Sequence, residues 1–387
     1  MTKPALSPAL LGLLAVGAGL SAASLYYNQP ILGAIAKDFG ASPAEMGWIP
    51  MLTQTGYATG IILFGPFGDR FDLRRVILVK GMCLAAALLL ASFAPSIGVL
   101  AALCFAIGLC ATTAQDFVPA AAALAPDRSR GKIVGTVMTG LLLGILLSRV
   151  ASGAVGEHLG WRAVFVGAAA LVGALVGVTS MRLPSLPPSA SASYVTLLRS
   201  TASLVVRHPA LRRTALGQGL LAMAFSGFWS TLALVLAREP FVLGSTIAGS
   251  FGLAGAAGAA IAPLAGSLAD KRGPMFVLRA GALLTFVSFL AMALAPASLA
   301  VLVLGTIVFD LGTQASLISS QTIVYGLDPA ARSRLNSVLV STMFVGMAIG
   351  SAIAARLVER WGLAGIGTLG AIAAALALAL RARRSTP

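Results

Sequence analysis

Apolar runs of about twenty residues alternate with short charged breaks along the whole chain, and a run of that length matches a bilayer's hydrocarbon core. Reading for runs bounded by charge, Pro or Gly gives spans at 8–35, 46–67, 76–94, 97–122, 133–157 and 162–181, then at 213–236, 244–268, 275–295, 298–323, 335–357 and 362–380. Composition agrees: 58% of the 387 residues are hydrophobic and 10% are charged, against about 25% charged in a soluble domain. A mean hydropathy of +0.94 describes a chain that cannot hide its apolar surface in a water-soluble core. The 43 glycines suit helices that pack closely in lipid. The expected fold is therefore all-α, with twelve membrane helices.

The basic residues supply an orientation. The net charge of +15 does not describe a nucleic-acid binder, because the charges sit in short breaks and build no continuous basic face. With the N-terminus in the cytoplasm, 21 of the 27 Lys and Arg fall in inner segments and 4 in outer ones, while Arg149 and Arg356 lie within spans. That bias places both termini inside. The inner group includes Lys80, Arg279 and Arg381. The first run, from about Pro8 to Ala36, exceeds the roughly 7–15 apolar residues of a signal peptide. Cys83, Cys104 and Cys110 fall inside apolar runs with no metal or redox spacing, and His158 and His208 are isolated in loops. No metal and no cofactor is expected, and GxxxxGK[ST] is absent, so ATP hydrolysis by that route is not expected.

One long loop divides the chain. It begins "PSLPPSASAS" and continues "YVTLLRSTASLVVRHPALRR". Tyr194, Leu197, Leu198, Leu204 and Val205 share one face of a short helix that would lie on the inner membrane surface. The expected organisation is a six-helix bundle over 1–182, a linker over 183–212 and a second six-helix bundle over 213–387. The halves also repeat. "GPFGD" at Gly65 and "GSLAD" at Gly266, like the two basic segments ending at Arg130 and Arg334, lie about 200 residues apart.

These features resemble the major facilitator superfamily of secondary transporters. "GPFGDRFDLRRV" matches that family's motif A with Gly65, Asp69, Arg70, Arg74 and Arg75, and a half-copy carries Gly266, Asp270, Lys271 and Arg272. The resemblance covers essentially the whole chain. "YYNQPIL", "GTVMTGLLLGILLSRVASGAVGEHLGWRAVF" and "FDLGTQASLISSQTIVYGLDPAARSRLN" look like a bacterial drug, sugar and nucleoside efflux branch. That likeness implies a monomeric inner-membrane antiporter that exports a small organic molecule, with the proton gradient as energy source. It also implies a gating role for motif A, in which Gly65 lets span 2 approach span 11 and Asp69 meets the start of that helix. A proton-coupled or passive importer is the rival reading. A membrane sensor or lipid-handling protein ranks lower, because no extra soluble domain is present. Two departures stand out. Gly140 and Gly144 match the drug-antiporter motif C, but Ile145 replaces its proline and Ser148 and Arg149 replace its last glycines. The span 4 arginine of motif B is missing from "LCFAIGLC".

Charge inside a span costs at least a few kcal/mol and needs a reason. Asp310 in span 10 is the leading proton carrier, with substrate binding or a structural role as alternatives. Asp116 in span 4 is the second, unless it pairs with Arg128 or Lys132. Arg149 in span 5 suits an anionic substrate group or the counter-charge of an aspartate, and lies too far along the bundle to pair with Asp116. The resemblance implies that spans 1, 4, 7 and 10 line a central cavity. The substrate-binding candidates there and in span 2 are Tyr27, Asn28, Gln29, Gln54, Gln115, Gln218, Gln314 and Gln321, with Phe225 and Trp229 as an apolar wall. Interhelical hydrogen bonding is the alternative for the amides.

Overall fold

A computed structural model describes residues 7–126, 129–188, 194–260, 267–269, 271–328 and 331–382. Among these, every regular element is a helix. Nine helical segments are long and apolar enough to cross a bilayer. The first half contains α1 (Pro8–Ala23), α2 (Asn28–Phe39), α3 (Pro43–Met46), α4 (Trp48–Phe64), α5 (Phe67–Arg70), α6 (Leu73–Ser92), α7 (Ile97–Ala111), α8 (Thr113–Leu124), α9 (Arg130–His158) and α10 (Trp161–Arg182). After α11 (Tyr194–Arg207), the second half contains α12 (Pro209–Trp229), α13 (Leu232–Leu236), α14 (Ser245–Ala260), α15 (Pro274–Leu294), α16 (Leu299–Leu327) and α17 (Arg332–Ala382).

Helix ends follow local chemistry. Ser7, Ser96 and Ser298 accept N-terminal amides from Leu10, Val99 and Val301, matching donors that would otherwise lack a partner. Ser42 and Glu45 form a reciprocal capping box at α3. α17 contains the expected spans 335–357 and 362–380. It is interrupted at Gly362, where φ is 53° and ψ is −136°, a conformation glycine adopts readily. α14 is described to Ala260, and the rest of the expected run to 268 is described only at 267 and 268.

Three runs read as continuous are broken. α1 gives way to α2 across Ser24–Tyr27, α7 to α8 at Thr112, and α12 to α13 across Ser230–Thr231. Pro30 has no amide to offer the Tyr26 carbonyl, and that carbonyl accepts from Gln29 instead, at 3.2 Å. At the other two breaks, Thr112, Thr113, Ser230 and Thr231 bond back to preceding carbonyls, a habit that bends helices.

Contacts define two ends of the bundle. At one, Leu73 donates its amide to Leu186 O, Leu186 donates to Asp72, and the Tyr194 hydroxyl donates to Leu63 O. Leu204 of α11 is buried with Leu211, Ala331 and Leu335, while the Leu197 side chain lies outside the described residues. Helices of the two halves meet elsewhere: α2 on α13, α3 and α4 on α17, and α9 on α14. Several of these crossings are very close. A Cβ on Gly153 would stand 2.4 Å from Ser245 O, and one on Gly47 would stand 2.5 Å from the Ala355 methyl.

Candidate functional site

Two of the helix breaks, at Ser24–Tyr27 and Ser230–Thr231, flank a buried polar cluster. Arg149 on α9 is 4% exposed. Its Nε donates to Gln29 Oε1 at 3.1 Å. Its guanidinium carbon lies 4.7 Å from the Tyr26 ring centre and 4.2 Å from that of Trp229. The Trp229 indole N–H points at Asp310 Oδ1 at 3.4 Å, a long hydrogen bond. Asp310 is itself buried, and a Cβ on Gly255 would stand 2.7 Å from its Oδ2. A chain of contacts thus joins α2 and α9 of the first half to α12, α14 and α16 of the second. Half-buried Phe225 packs against Trp229 and Phe309. Neighbouring Asn28 donates to Thr53 Oγ1 at 3.0 Å. Three buried polar atoms of this cluster have no hydrogen-bond partner among the described residues: Arg149 Nη2, Gln29 Nε2 and Asn28 Oδ1.

Tyr27 borders this cluster through its backbone. Its backbone carbonyl accepts from the Ser152 hydroxyl, and the ring against Arg149 is that of Tyr26. Consecutive aromatics at a helix break leave open which ring turns inward.

Gln54 belongs to a second group. Its Nε2 donates to Ser226 Oγ at 2.7 Å, its Oε1 accepts from Ser351 Oγ at 2.9 Å, and the two hydroxyls lie 2.8 Å apart. This closed ring ties α4 to α12 and α17. Sequence reasoning missed both serines, because lone serines in apolar runs are commonplace. Gln115 donates to Tyr57 Oη at 2.9 Å, and Tyr57 packs on Phe344 of the other half.

Gln218 sits in a separate polar knot. Its Oε1 accepts from Ser316, Ser320 and Arg381, so the described contacts favour interhelical bonding at this position. Arg381, read as an inner loop charge, is 6% exposed and also donates to Leu278 O. Gln314 and Gln321 are half-buried and make no hydrogen bond among the described residues.

Asp116 does not pair with Lys132. Its Oδ2 lies 2.5 Å from Lys80 Nζ, with side-chain exposures of 9% and 8%; Arg128 lies outside the described residues. Lys80, counted as an inner-segment charge, is thus a buried residue of α6. Its place in a run of apolar neighbours was the available signal.

Motif A is described in part. The side chain of Asp69 and all of Gly266 and Asp270 lie outside the described residues. Gly65 departs from expectation: among the described residues a Cβ there would meet only Ile61 of its own helix within 4 Å, and no neighbouring helix. Arg70, Arg75, Lys271 and Arg272 are exposed. Arg74 donates to Ser180 O. Burial opposes ionisation of Asp72, but hydrogen bonds from Ser185 and the amides of Leu186 and Arg74 outweigh it and hold this carboxyl below its ordinary range. Phe64, Phe67, Val79, Cys83 and Leu109 line an apolar cleft of about 450 Å³ beside this segment. Gly140 and Gly144 seat α9 on α1: a Cβ on Gly144 would stand 2.3 Å from Gly19 O.

Long apolar helices, breaks around a buried charged cluster and halves that meet across it define a multi-pass membrane transporter. The description "Major Facilitator Superfamily" matches residues 14–324, and the chain belongs to that family. It is 38% identical over 373 residues to the "Uncharacterized transporter YgaY" of Escherichia coli O157:H7, covering 96% of this chain and 95% of that one. It is 32% identical to the "Probable transporter SCO4007" of Streptomyces coelicolor, over 92% and 83% of the two chains. Its fold is similar to that of the nucleoside transporter NupG in its crystal structure, with a TM-score of 0.77, 16% identity and coverage of 96% and 97%.

Proposed function

We propose that this chain is a proton-coupled secondary transporter that exports a small organic molecule by alternating access, with Asp310 as the proton carrier. The observation that carries this reading is the Arg149–Trp229–Asp310 contact between the halves. A buried carboxylate at the meeting of the halves is one that rocking would expose to either face. We assign twelve spans, two six-helix bundles at 1–182 and 213–387 and a linker at 183–212. The nine apolar segments, the extra helices α4 and α14 and the break at Gly362 support this count. Both termini face the cytoplasm of a bacterial inner membrane in this reading, supported by the bias of basic residues.

The substrate site uses Tyr27, Asn28, Gln29, Gln54, Gln115, Phe225 and Trp229 with Arg149, and Gln314 and Gln321 as unengaged amides on α16. Gln218 works in packing. Asp116 is assigned to structure, because its carboxylate is committed to Lys80. Motif A (Gly65, Asp69, Arg70, Arg74, Arg75 and the half-copy Gly266, Asp270, Lys271, Arg272) gates the end that carries it. Export rests on the sequence likeness to the efflux branch and implies exchange of proton for substrate. Cotransport is the second reading, favoured by the cation standing beside Asp310. An imposed pH gradient across proteoliposomes should drive movement of drugs, nucleosides or sugars in the parent and not in Asp310→Asn. Equal movement in both would refute the proton role.

A further inference from the structure

Arg149 is an incomplete site. A buried guanidinium has five N–H donors and a fixed charge, yet this one makes a single hydrogen bond among the described residues, to Gln29. No carboxylate of the described residues forms an ion pair with it, unlike Lys80 with Asp116 or Arg162 with Asp38. Asp310 stands beyond the Trp229 indole. Among the described residues Nη2 is buried without a partner, and so are the adjacent Gln29 Nε2 and Asn28 Oδ1. Stranded polar groups of this kind are costly, so the cluster calls for an occupant that supplies acceptors.

The geometry narrows that occupant. The rings of Tyr26 and Trp229 cover the guanidinium at 4.7 and 4.2 Å. A guanidinium's N–H edge binds an oxyanion in plane and bidentately, and Nη2 of this one has no partner among the described residues. One arginine balances one negative charge, which fits a carboxylate better than a doubly charged phosphate. The rings beside it, Phe225 and Trp229, suit a flat, apolar body.

We propose that the transported molecule is a small planar organic acid whose carboxylate is held by the edge of Arg149, with Gln29 Nε2 as a further donor. This rests on the reading of the cluster as the transport site, and it fixes the sign of coupling. An ionised Asp310 opposes an incoming anion, and a protonated one does not. The charged or titratable groups facing Asp310 are Arg149 from α9 and, beyond it, Tyr26. α12, α14 and α15 present Trp229, Gly255 and Phe289 around this region, none of them titratable. Anion and proton therefore strengthen each other's binding, by the reciprocity that linkage requires. Substrate and proton then travel together, which is the cotransport reading and not exchange, and export runs down the acid's own gradient.

The test is binding to the purified protein in weakly buffered detergent, with benzoate, cinnamate and pyruvate each set beside its amide. At least one acid should bind about tenfold or more tightly than its amide, with uptake of a proton from solution. Arg149→Gln should weaken that acid about tenfold or more. Arg149→Lys, which keeps the charge and loses the fork, should fall between and serves if the first variant does not fold. If the amides bind as well as the acids, if no acid binds, or if both Arg149 variants bind like the parent, the assignment is wrong. Asp310→Asn separates the two claims. Acid binding that persists without proton uptake supports both. Uptake unchanged in Asp310→Asn leaves the carboxylate site standing and overturns the role of Asp310.

Discussion

Removing one member of the Lys80–Asp116 pair should cost far more than removing both. The pair joins α6 to α8, with side-chain exposures of 8% and 9%. Exposed ion pairs contribute about 0.2–1 kcal/mol. At this burial the governing effect is different: losing one partner strands a charge, at about 3–5 kcal/mol. Asp116→Leu leaves the ammonium with the Phe64 ring, 5.8 Å from Nζ, a contact of about 0.5–2 kcal/mol that does not replace a carboxylate. Lys80→Met strands the carboxylate in turn. The double variant strands nothing and should lie within about 1–4 kcal/mol of the parent, on the stable side if the new side chains pack well. The two single costs therefore should not add, and a double-mutant cycle should return a coupling of several kcal/mol. Unfolding of the four proteins in mixed micelles measures it. The double variant should also retain proton-driven transport. Additive losses would refute the stranded-charge argument. Lost transport in a stable double variant would return Asp116 to the proton path.

Three further outcomes follow from single positions. Gln54→Leu removes two hydrogen bonds between the halves, about 0.6–1.5 kcal/mol each. It should shift the equilibrium about 7- to 150-fold toward the state with this face open, read as a longer spin-label distance between positions 37 and 238; an unchanged distance distribution would count against a latch. Gly144→Val puts side-chain atoms where Gly19 O stands 2.3 Å from a Cβ position. It should lower stability by about 1–3 kcal/mol or more in a thermal melt, whereas an unshifted melt would contradict the close crossing. Asp72 has a lowered folded pKa, so its contribution is present above the ordinary carboxylate range and lost as pH falls through the lowered value. Hydrogen-exchange protection of amides 73 and 186, normalised for intrinsic rate, should hold from about pH 8 to 5 and fall below about pH 4. Equal protection at about pH 3 would contradict this.

Helix positions were legible because bilayer thickness fixes run length and because Ser, Pro and Gly mark the ends. α15 and α16 start within one residue of expectation, at Pro274 and Leu299. The breaks at Ser24–Tyr27, Thr112 and Ser230–Thr231 were not legible, since polar residues within a run signal glue and bends equally. Charge alone marked Asp310 and Arg149, but nothing in the order of residues says that Trp229 stands between them or that Tyr26 faces inward. Lys80 and Arg381 show how counting charges by segment fails near a span's end. A cation one helical turn inside the run joins the core when a carboxylate or carbonyl is waiting.

The central claim is that Asp310, beside Arg149 at the meeting of the halves, couples proton movement to transport. The most direct measurement is proton flux into proteoliposomes, read with a trapped pH dye on addition of an external substrate to parent and Asp310→Asn protein. The parent should change the lumen pH, downward if proton and anion enter together and upward if proton exchanges for substrate, and Asp310→Asn should move substrate with no pH change or not at all. A pH change by Asp310→Asn at the parent rate would contradict the account.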